Sequence, residues 1–236
     1  MTNTHQRGIA IGPILFIVAI LAVLASAIAA GSGSFNSDTS AVKAKAQATA
    51  ILGYAHEVKF AVDRVLGKGC TDTQISFENP IVSGYENPNA PSDKSCHVFD
   101  VSGGGIIWKE PPLNASGYGH YFYAANHGLV GTSSPTGGIN PTQDLVLFLP
   151  NLPKDICEYI NKTISSNSQI ITLNNSITFG FINEARFIGI YWYGYTILNN
   201  LEFSACVQLA HTRYGANASP TEETGHYHFY KVLIAH

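Results

Sequence analysis

One segment near the N-terminus, IAIGPILFIVAILAVLASAIAA at residues 9–30, dominates this chain of 236 residues. It carries no charge; Arg7 precedes it, and the next charged residue is Asp38. As a helix the segment would be about 33 Å long, which is enough to cross the hydrocarbon core of a membrane. Arg7 on the cytoplasmic side would place the rest of the chain outside. We therefore expect an exported protein that meets a membrane.

Three fates of this segment are open. It fits a secretory signal with a cleavage site near Ala27 or Ala29, which would release a soluble domain. It also fits an uncleaved anchor for an exported domain, because its length is sufficient. The third fate follows from the polar leader, which is only eight residues long and ends in Gln6-Arg7-Gly8 directly before the apolar run.

This leader, followed by Ile9-Ala10-Ile11, resembles the class III leader of type IV pilins and pseudopilins. In that family a prepilin peptidase cuts after the glycine, here Gly8, and the mature chain begins at the next residue, here Ile9. The retained helix first anchors the subunit in the inner membrane and later packs into the core of a filament. Pro13 stands where the family usually has a glutamate, which favours a minor or tip subunit.

The resemblance implies that the apolar helix is the assembly element. Burial of its side chains, at about 25 cal/mol per Å², would stabilise it both in lipid and among neighbouring helices. The implied partners are other pilin subunits, in a homopolymer or a mixed filament, together with the prepilin peptidase and the inner membrane. The residues expected to carry assembly are Ile9, Pro13, Ile14, Phe16, Ile17, Ile20, Leu21 and Leu24.

A glycine-containing break and a second helix are expected after the apolar run. Gly31-Ser32-Gly33-Ser34 should interrupt the helix, because glycine lowers helix stability. An amphipathic helix should follow and end at Gly67, since apolar residues then recur at intervals of 4, 3, 4 and 3. These residues, which predict one buried face, are Ile51, Ala55, Val58, Val62 and Val65.

The remainder of the chain has the pattern of strands and turns. A hairpin is predicted around residues 102–104, with strands at 96–100 and 105–109. Pro153 is suited to the first turn of one short helix. Further strands are predicted at 121–125, 144–149, 169–173, 176–181, 187–193, 201–209 and 227–234.

These elements predict an α+β fold of the pilin-like kind. The long N-terminal helix, with an apolar half and an amphipathic half, would pack on an antiparallel β-sheet. The expected organisation is a leader at 1–8, an apolar transmembrane or filament-core helix at 9–30, the break and amphipathic helix at 31–67, and a disulfide-containing β-rich domain at 68–236.

Four cysteines in a chain that is expected to be exported indicate two disulfides. Four cysteines permit three pairings, and we expect the sequential one, Cys70 with Cys96 and Cys157 with Cys206. None of their spacings matches a CxxC metal or redox motif, so a zinc site is not expected.

The residue types that carry catalysis or metal binding form no recognisable catalytic set. His226 and His228 would share one face of a strand and could bind a metal only with a third ligand, so we interpret them as polar residues on its exposed side. Aromatic clusters at 118–123 and 191–195 suit either a sugar-binding platform or sheet packing. The sequence lacks GxSxG, HExxH and phosphate-binding patterns. We therefore expect no enzyme, no metal and no cofactor.

The composition agrees with an exported, non-catalytic role. Charged residues make up only 12% of the chain, and the net charge of −3 disfavours nucleic acid as a partner. The sequence predicts a structural subunit of an extracellular type IV pilus-like filament or secretion pseudopilus, and it leaves open whether this is the major subunit or a minor or tip subunit. It would reside in the inner membrane before assembly and at the bacterial cell surface afterwards. The alternative is a secreted or anchored disulfide-stapled binding or adhesin domain with a conventional signal peptide.

Overall fold

The computed structural model describes residues 11–117, 119–127, 143–165, 169–173, 186–191, 203–209 and 226–236, with side chains from residue 39 onward except at residues 126, 127, 173 and 209. The chain divides into two compact units, Met1–Lys43 and Ala44–His236. The predicted processing residues Gly8 and Ile9 lie outside the described part of the chain. The other predicted assembly residues, from Pro13 to Leu24, lie in a stretch described by its backbone alone.

The first helix, α1, spans Ile11–Gly67. It is uninterrupted at residues 31–34, where a break was predicted. Each glycine there lowers the stability of a helix by about 1 kcal/mol. That cost is too small to end this helix, because the alanines that precede the glycines favour helix formation. Among the described residues, no helix has the length and apolar character needed to cross a membrane.

The second half of α1 supplies one wall of the core of the larger unit. All five residues of the predicted apolar face, from Ile51 to Val65, are fully buried, which confirms that prediction. The end of the helix at Gly67 is confirmed as well. Tyr54 lies on the same buried side and contacts the ring of Tyr121, with 4.8 Å between the ring centroids.

A five-stranded sheet forms the rest of the core. Its strands are β1 Phe122–His127, β2 Asp144–Leu152, β3 Ile171–Leu173, β4 Ser204–Leu209 and β5 His226–Ile234. Their spatial order is β1-β2-β5-β4-β3, and the pairs β1–β2, β2–β5 and β5–β4 are antiparallel. Strand β3 runs parallel to β4.

The predicted fold class, a long helix with an apolar half on an antiparallel sheet, is therefore wrong. The sheet is mixed, because the three residues of β3 pair in parallel with β4. About thirty residues separate these two strands, which is long enough for the crossover that a parallel pair needs. A three-residue strand carries no sequence signal for its direction, so the antiparallel assignment had no independent support.

Both faces of the sheet are buried, and this explains the nearly continuous apolar run of β2. Residues on one face, including Leu147 and Phe229, belong to the core that α1 shares. The opposite face carries Phe148 and Tyr230, whose ring centroids are 6.5 Å apart. A second helix, α2, covers Lys154–Ser165 and follows Pro153 as predicted. Its Ile156 and Ile160 complete the core on the α1 side.

Candidate interaction surface

An extended segment lies along α1 and has no regular secondary structure after residue 104; we call residues 101–113 the strap. Its first part is held by cations near the end of the helix. The Nζ of Lys68 donates to the carbonyl of Gly103 at 2.8 Å, and the Nη1 of Arg64 donates to the carbonyl of Gly104 at 2.7 Å. These are charge-assisted bonds, which are stronger than neutral ones.

The rest of the strap is held by residues progressively earlier in α1. The backbone N–H of Lys109 donates to the Tyr54 hydroxyl at 3.2 Å, and the Lys109 amine pairs with Glu57 at 2.6 Å. Further along, the Gln47 amide donates to the carbonyl of Leu113 at 2.8 Å. Along these contacts the residue numbers of the helix decrease while those of the strap increase. The strap therefore runs antiparallel to α1.

The strap replaces the predicted hairpin. Residues 96–104 form turns, as the glycines suggest, but no strand is assigned at 96–100 or 105–109. The N–H of Gly104 donates to the carbonyl of His97 at 2.8 Å, which folds the segment tightly on itself. A Cβ at Gly103 would collide with the same carbonyl oxygen, so glycine is required by close approach. The turn was thus predicted correctly, whereas the strands beside it were not.

Three large apolar side chains of the strap face solvent. Val101 is 90% exposed, Ile107 79% and Leu113 84%, although the backbone that carries them is fastened to α1. On the helix itself Phe60 is 67% exposed. Covering these side chains with another protein would remove their apolar surface from water, which is favourable. Together these four residues define what we call the strap surface.

Both disulfides have the predicted pairing. Cys70 joins Cys96 across 26 residues, and Cys157 joins Cys206 across 49 residues. The first bridge connects the end of α1 to the turn that precedes the strap, so it limits how far the strap surface can move from the helix. On the chain-entropy relation the two loops correspond to stabilisation of about 3.5 and about 4 kcal/mol.

The histidine pair on β5 differs from its prediction. His228 is only 1% exposed and lies across the strand pair from Val207, so it is not on an exposed side. Burial lowers the pKa of the His228 imidazole to about 3, and the nearby His226 contributes in the same direction. A group with so low a pKa is neutral in ordinary conditions. Within the described residues no group of three potential ligands could hold a metal ion.

The first aromatic cluster is part of the core rather than a surface platform. Tyr121, Phe122 and Tyr123 are all buried, and Tyr123 stacks on Phe77 with 4.3 Å between the ring centroids. Burial raises the pKa of Tyr123 well above its usual value. Sheet packing therefore accounts for residues 121–123. Residue 118 and residues 192–195 of the predicted platforms lie outside the described part of the chain.

Sequence reasoning missed the strap, together with the two cations that hold it, Arg64 in the last turn of α1 and Lys68 directly after the helix. Arg64 and Lys68 are separated by one helical turn near the end of the helix, a position where cations also suit the helix dipole. That placement was a detectable signal, but its partners are backbone carbonyls, which leave no trace in sequence.

Comparison with protein-family models, curated proteins and solved structures finds no match for this chain.

Proposed function

We propose that this protein is a non-catalytic structural subunit of an extracellular filament or secretion pseudopilus of the type IV pilin kind. The observation that carries the proposal is the strap surface, where three large apolar side chains are 79–90% exposed on a backbone fastened to α1. Such a surface gains free energy when a neighbouring subunit covers it, at about 25 cal/mol for each Å² buried.

The N-terminal sequence supports the same role. The apolar run at residues 9–30 supplies a segment for burial first in lipid and then among subunits, and Gly8 supplies the cleavage point. Two disulfides suit a domain that functions outside the reducing cytoplasm. In this role the protein passes through the inner membrane, where the peptidase processes it, and then acts at the cell surface of a bacterium.

The mature N-terminus tests this proposal directly. We would isolate the protein from its native cell and determine its first residue by mass spectrometry or Edman degradation. A chain that begins at Ile9 supports the filament subunit, since the apolar segment is then retained. A chain that begins near Ile28 or Ala30 overturns it and favours the alternative, a secreted binding domain released by signal peptidase.

A second experiment tests the strap surface. In the native cell, Ile107→Ser and Leu113→Ser combined should reduce the protein in the sheared filament fraction by tenfold or more, without changing the amount in whole cells. Ile81→Ser is the matched control, because Ile81 is 62% exposed but lies outside the strap. Equal incorporation of the double variant and the control would show that the strap surface takes no part in assembly.

A further inference from the structure

The strap has the backbone shape of a β-strand. Its bonds to Gln47 and Arg64 lie about 26 Å apart along the axis of α1. The strap covers this length between Leu113 and Gly104 at about 2.8 Å per residue, which is close to the rise of a β-strand. Among the described residues, however, no strand is paired with it.

One edge of the strap faces α1 and the other faces away from it. In an extended chain the N–H and C=O groups of successive residues point to opposite edges. The N–H of Lys109 and the carbonyl of Leu113 both bond to side chains of α1, so these odd-numbered residues define the inner edge. The backbone groups of the outer edge therefore belong to Ile106, Trp108 and Glu110.

The outer edge of the strap is unpaired. Within the described part of the chain, no backbone N–H or C=O group of Ile106, Trp108 or Glu110 takes part in a hydrogen bond. Glu110 is exposed, and the other two residues are partly exposed. Three donors and three acceptors thus line this edge, where solvent satisfies them until another molecule covers the strap.

The unpaired edge restricts what can cover the strap surface. An apolar helix face laid over Ile107 would also exclude water from the backbone groups beside it. Each buried group without a partner costs a free energy comparable to the gain from burying one isoleucine side chain, so the two effects offset each other. A second extended segment avoids that cost, because its own N–H and C=O groups pair with those of the strap.

The sequence of the strap also suits pairing with another strand. Isoleucine and tryptophan favour β-structure, and Ile106, Ile107 and Trp108 are consecutive here. Two prolines follow Glu110 and have no N–H to offer a partner. The pairing edge therefore covers residues 105–110, which is the length of an ordinary strand.

Charges near the two ends of this edge indicate the charges of a complementary segment. Arg64 and Lys68 bond to carbonyls at Gly104 and its neighbours, and neither cation forms a salt bridge among the described residues. At the opposite end Glu110 is exposed and has no salt bridge within the same part of the chain. An acidic residue beside Gly104 and a basic residue beside Glu110 would complement both ends.

We propose that an extended segment of a neighbouring subunit pairs with the outer edge of the strap at residues 105–110 and adds a β-strand there. The segment carries an apolar residue against Ile107, an acidic residue at the end near Arg64 and a basic residue at the end near Glu110. The identity of the neighbour as a filament subunit rests on the function proposed above, whereas the pairing is a property of the strap itself.

The test uses the full-length chain in detergent and the labelled peptide Lys-Val-Thr-Val-Thr-Val-Asp. In the antiparallel arrangement, which is the more stable one, its acidic end lies beside the two cations. We expect binding in fluorescence anisotropy at millimolar peptide. Amide exchange followed by NMR should slow tenfold or more at Ile106, Trp108 and Glu110. It should change less than twofold at Lys109, whose N–H already bonds to α1.

Two matched controls isolate the contribution of the backbone. The same peptide with N-methyl groups on two successive central residues keeps its side chains but has both edges blocked, so it should bind at least tenfold more weakly. In the protein, Glu110→Pro removes one N–H of the outer edge. Residue 110 already precedes a proline and is held extended, which proline tolerates. This variant should bind at least tenfold more weakly, whereas Glu110→Gln keeps the N–H and should lose less than threefold.

Three results would overturn the proposal. The first is the absence of peptide binding by the unmodified chain. The second is undiminished binding of the N-methylated peptide or of Glu110→Pro, which would mean that side chains alone make the contact. The third is slower exchange that does not alternate along the strap. Circular dichroism of each variant establishes that it is folded. A chain that begins at Ile9 but gives one of these results keeps its filament role and loses only this mode of contact.

Discussion

The side chain of Asn161 bonds to the backbone of Cys206 in both directions. Its Nδ2 donates to the Cys206 carbonyl at 2.8 Å, and its Oδ1 accepts from the Cys206 N–H at 2.7 Å. The same Nδ2 also donates to the carbonyl of Gln169 at 3.0 Å. One buried amide thus joins α2 to β4 and to the segment before β3, beside the disulfide of Cys206 with Cys157.

We expect Asn161→Ala to lower the free energy of unfolding by about 2–4 kcal/mol, because it leaves backbone groups of Cys206 buried without partners. Urea denaturation of the purified protein measures the change. Lys162→Ala on the exposed side of the same helix is the control and should cost less than about 0.5 kcal/mol. A loss for Asn161→Ala no larger than that of the control would contradict the importance of these bonds.

Acid should destabilise the protein through His228. Burial lowers the pKa of the folded imidazole to about 3 from its ordinary value of 6.5. As pH falls below 6.5 the unfolded chain takes up a proton that the folded chain does not, so the unfolded state is favoured. The contribution of this group is fully present above pH 6.5 and is lost as pH falls toward 3, at up to about 1.4 kcal/mol per pH unit.

His228→Leu should therefore flatten the dependence of unfolding free energy on pH between 6 and 4. Denaturant titrations at several pH values measure the slope. His56→Leu, at an exposed position on α1, is the control and should keep the original slope. If His228→Leu retains the full slope, another group is responsible for the acid sensitivity.

The two disulfides should differ in their resistance to reduction. Cys70 is partly exposed, whereas Cys157 and Cys206 are completely buried. A thiolate reductant must reach a sulfur to attack it, so access governs the rate. We expect mild reduction of the native protein, followed by alkylation and peptide mass spectrometry, to label Cys70 and Cys96 first. Simultaneous labelling of all four cysteines would mean that reduction requires global unfolding.

Loss of one cation should loosen the strap without unfolding the domain. Arg64→Met keeps the aliphatic stem but removes the charge-assisted bond to the Gly104 carbonyl, whose net contribution is about 1.5–3 kcal/mol. Amide hydrogen exchange at residues 104–113 should become roughly ten- to hundredfold faster. Lys59→Met removes only the surface ion pair with Asp63 and should leave exchange there unchanged. Equal exchange in the two variants would show that Arg64 does not restrain the strap.

Regular patterns in the sequence predicted part of this fold. The spacing of Ile51 through Val65 identified the buried face of α1, because a helix repeats every 3.6 residues whatever packs on it. The approximate positions of all five strands and the start of α2 were also predicted correctly. The pairing of the four cysteines followed from their order along the chain, with no constraint from geometry.

Features that depend on distant backbone were not predictable. The direction of β3 depends on its partner β4, and the strap depends on carbonyls that Arg64 and Lys68 reach from another element. His228 was assigned to the wrong environment because alternation along a strand predicts one exposed face, whereas this sheet is buried on both.

The disulfides also determine how the domain responds to a pulling force. Each bridge encloses a stretch of chain, 26 residues in one case and 49 in the other, that cannot lengthen while the covalent link is intact. Fully extended, those stretches would amount to roughly 250 Å. A molecule attached at one end and loaded at the other would therefore yield much less length than an unbridged domain of its size, and would behave as a stiff tether.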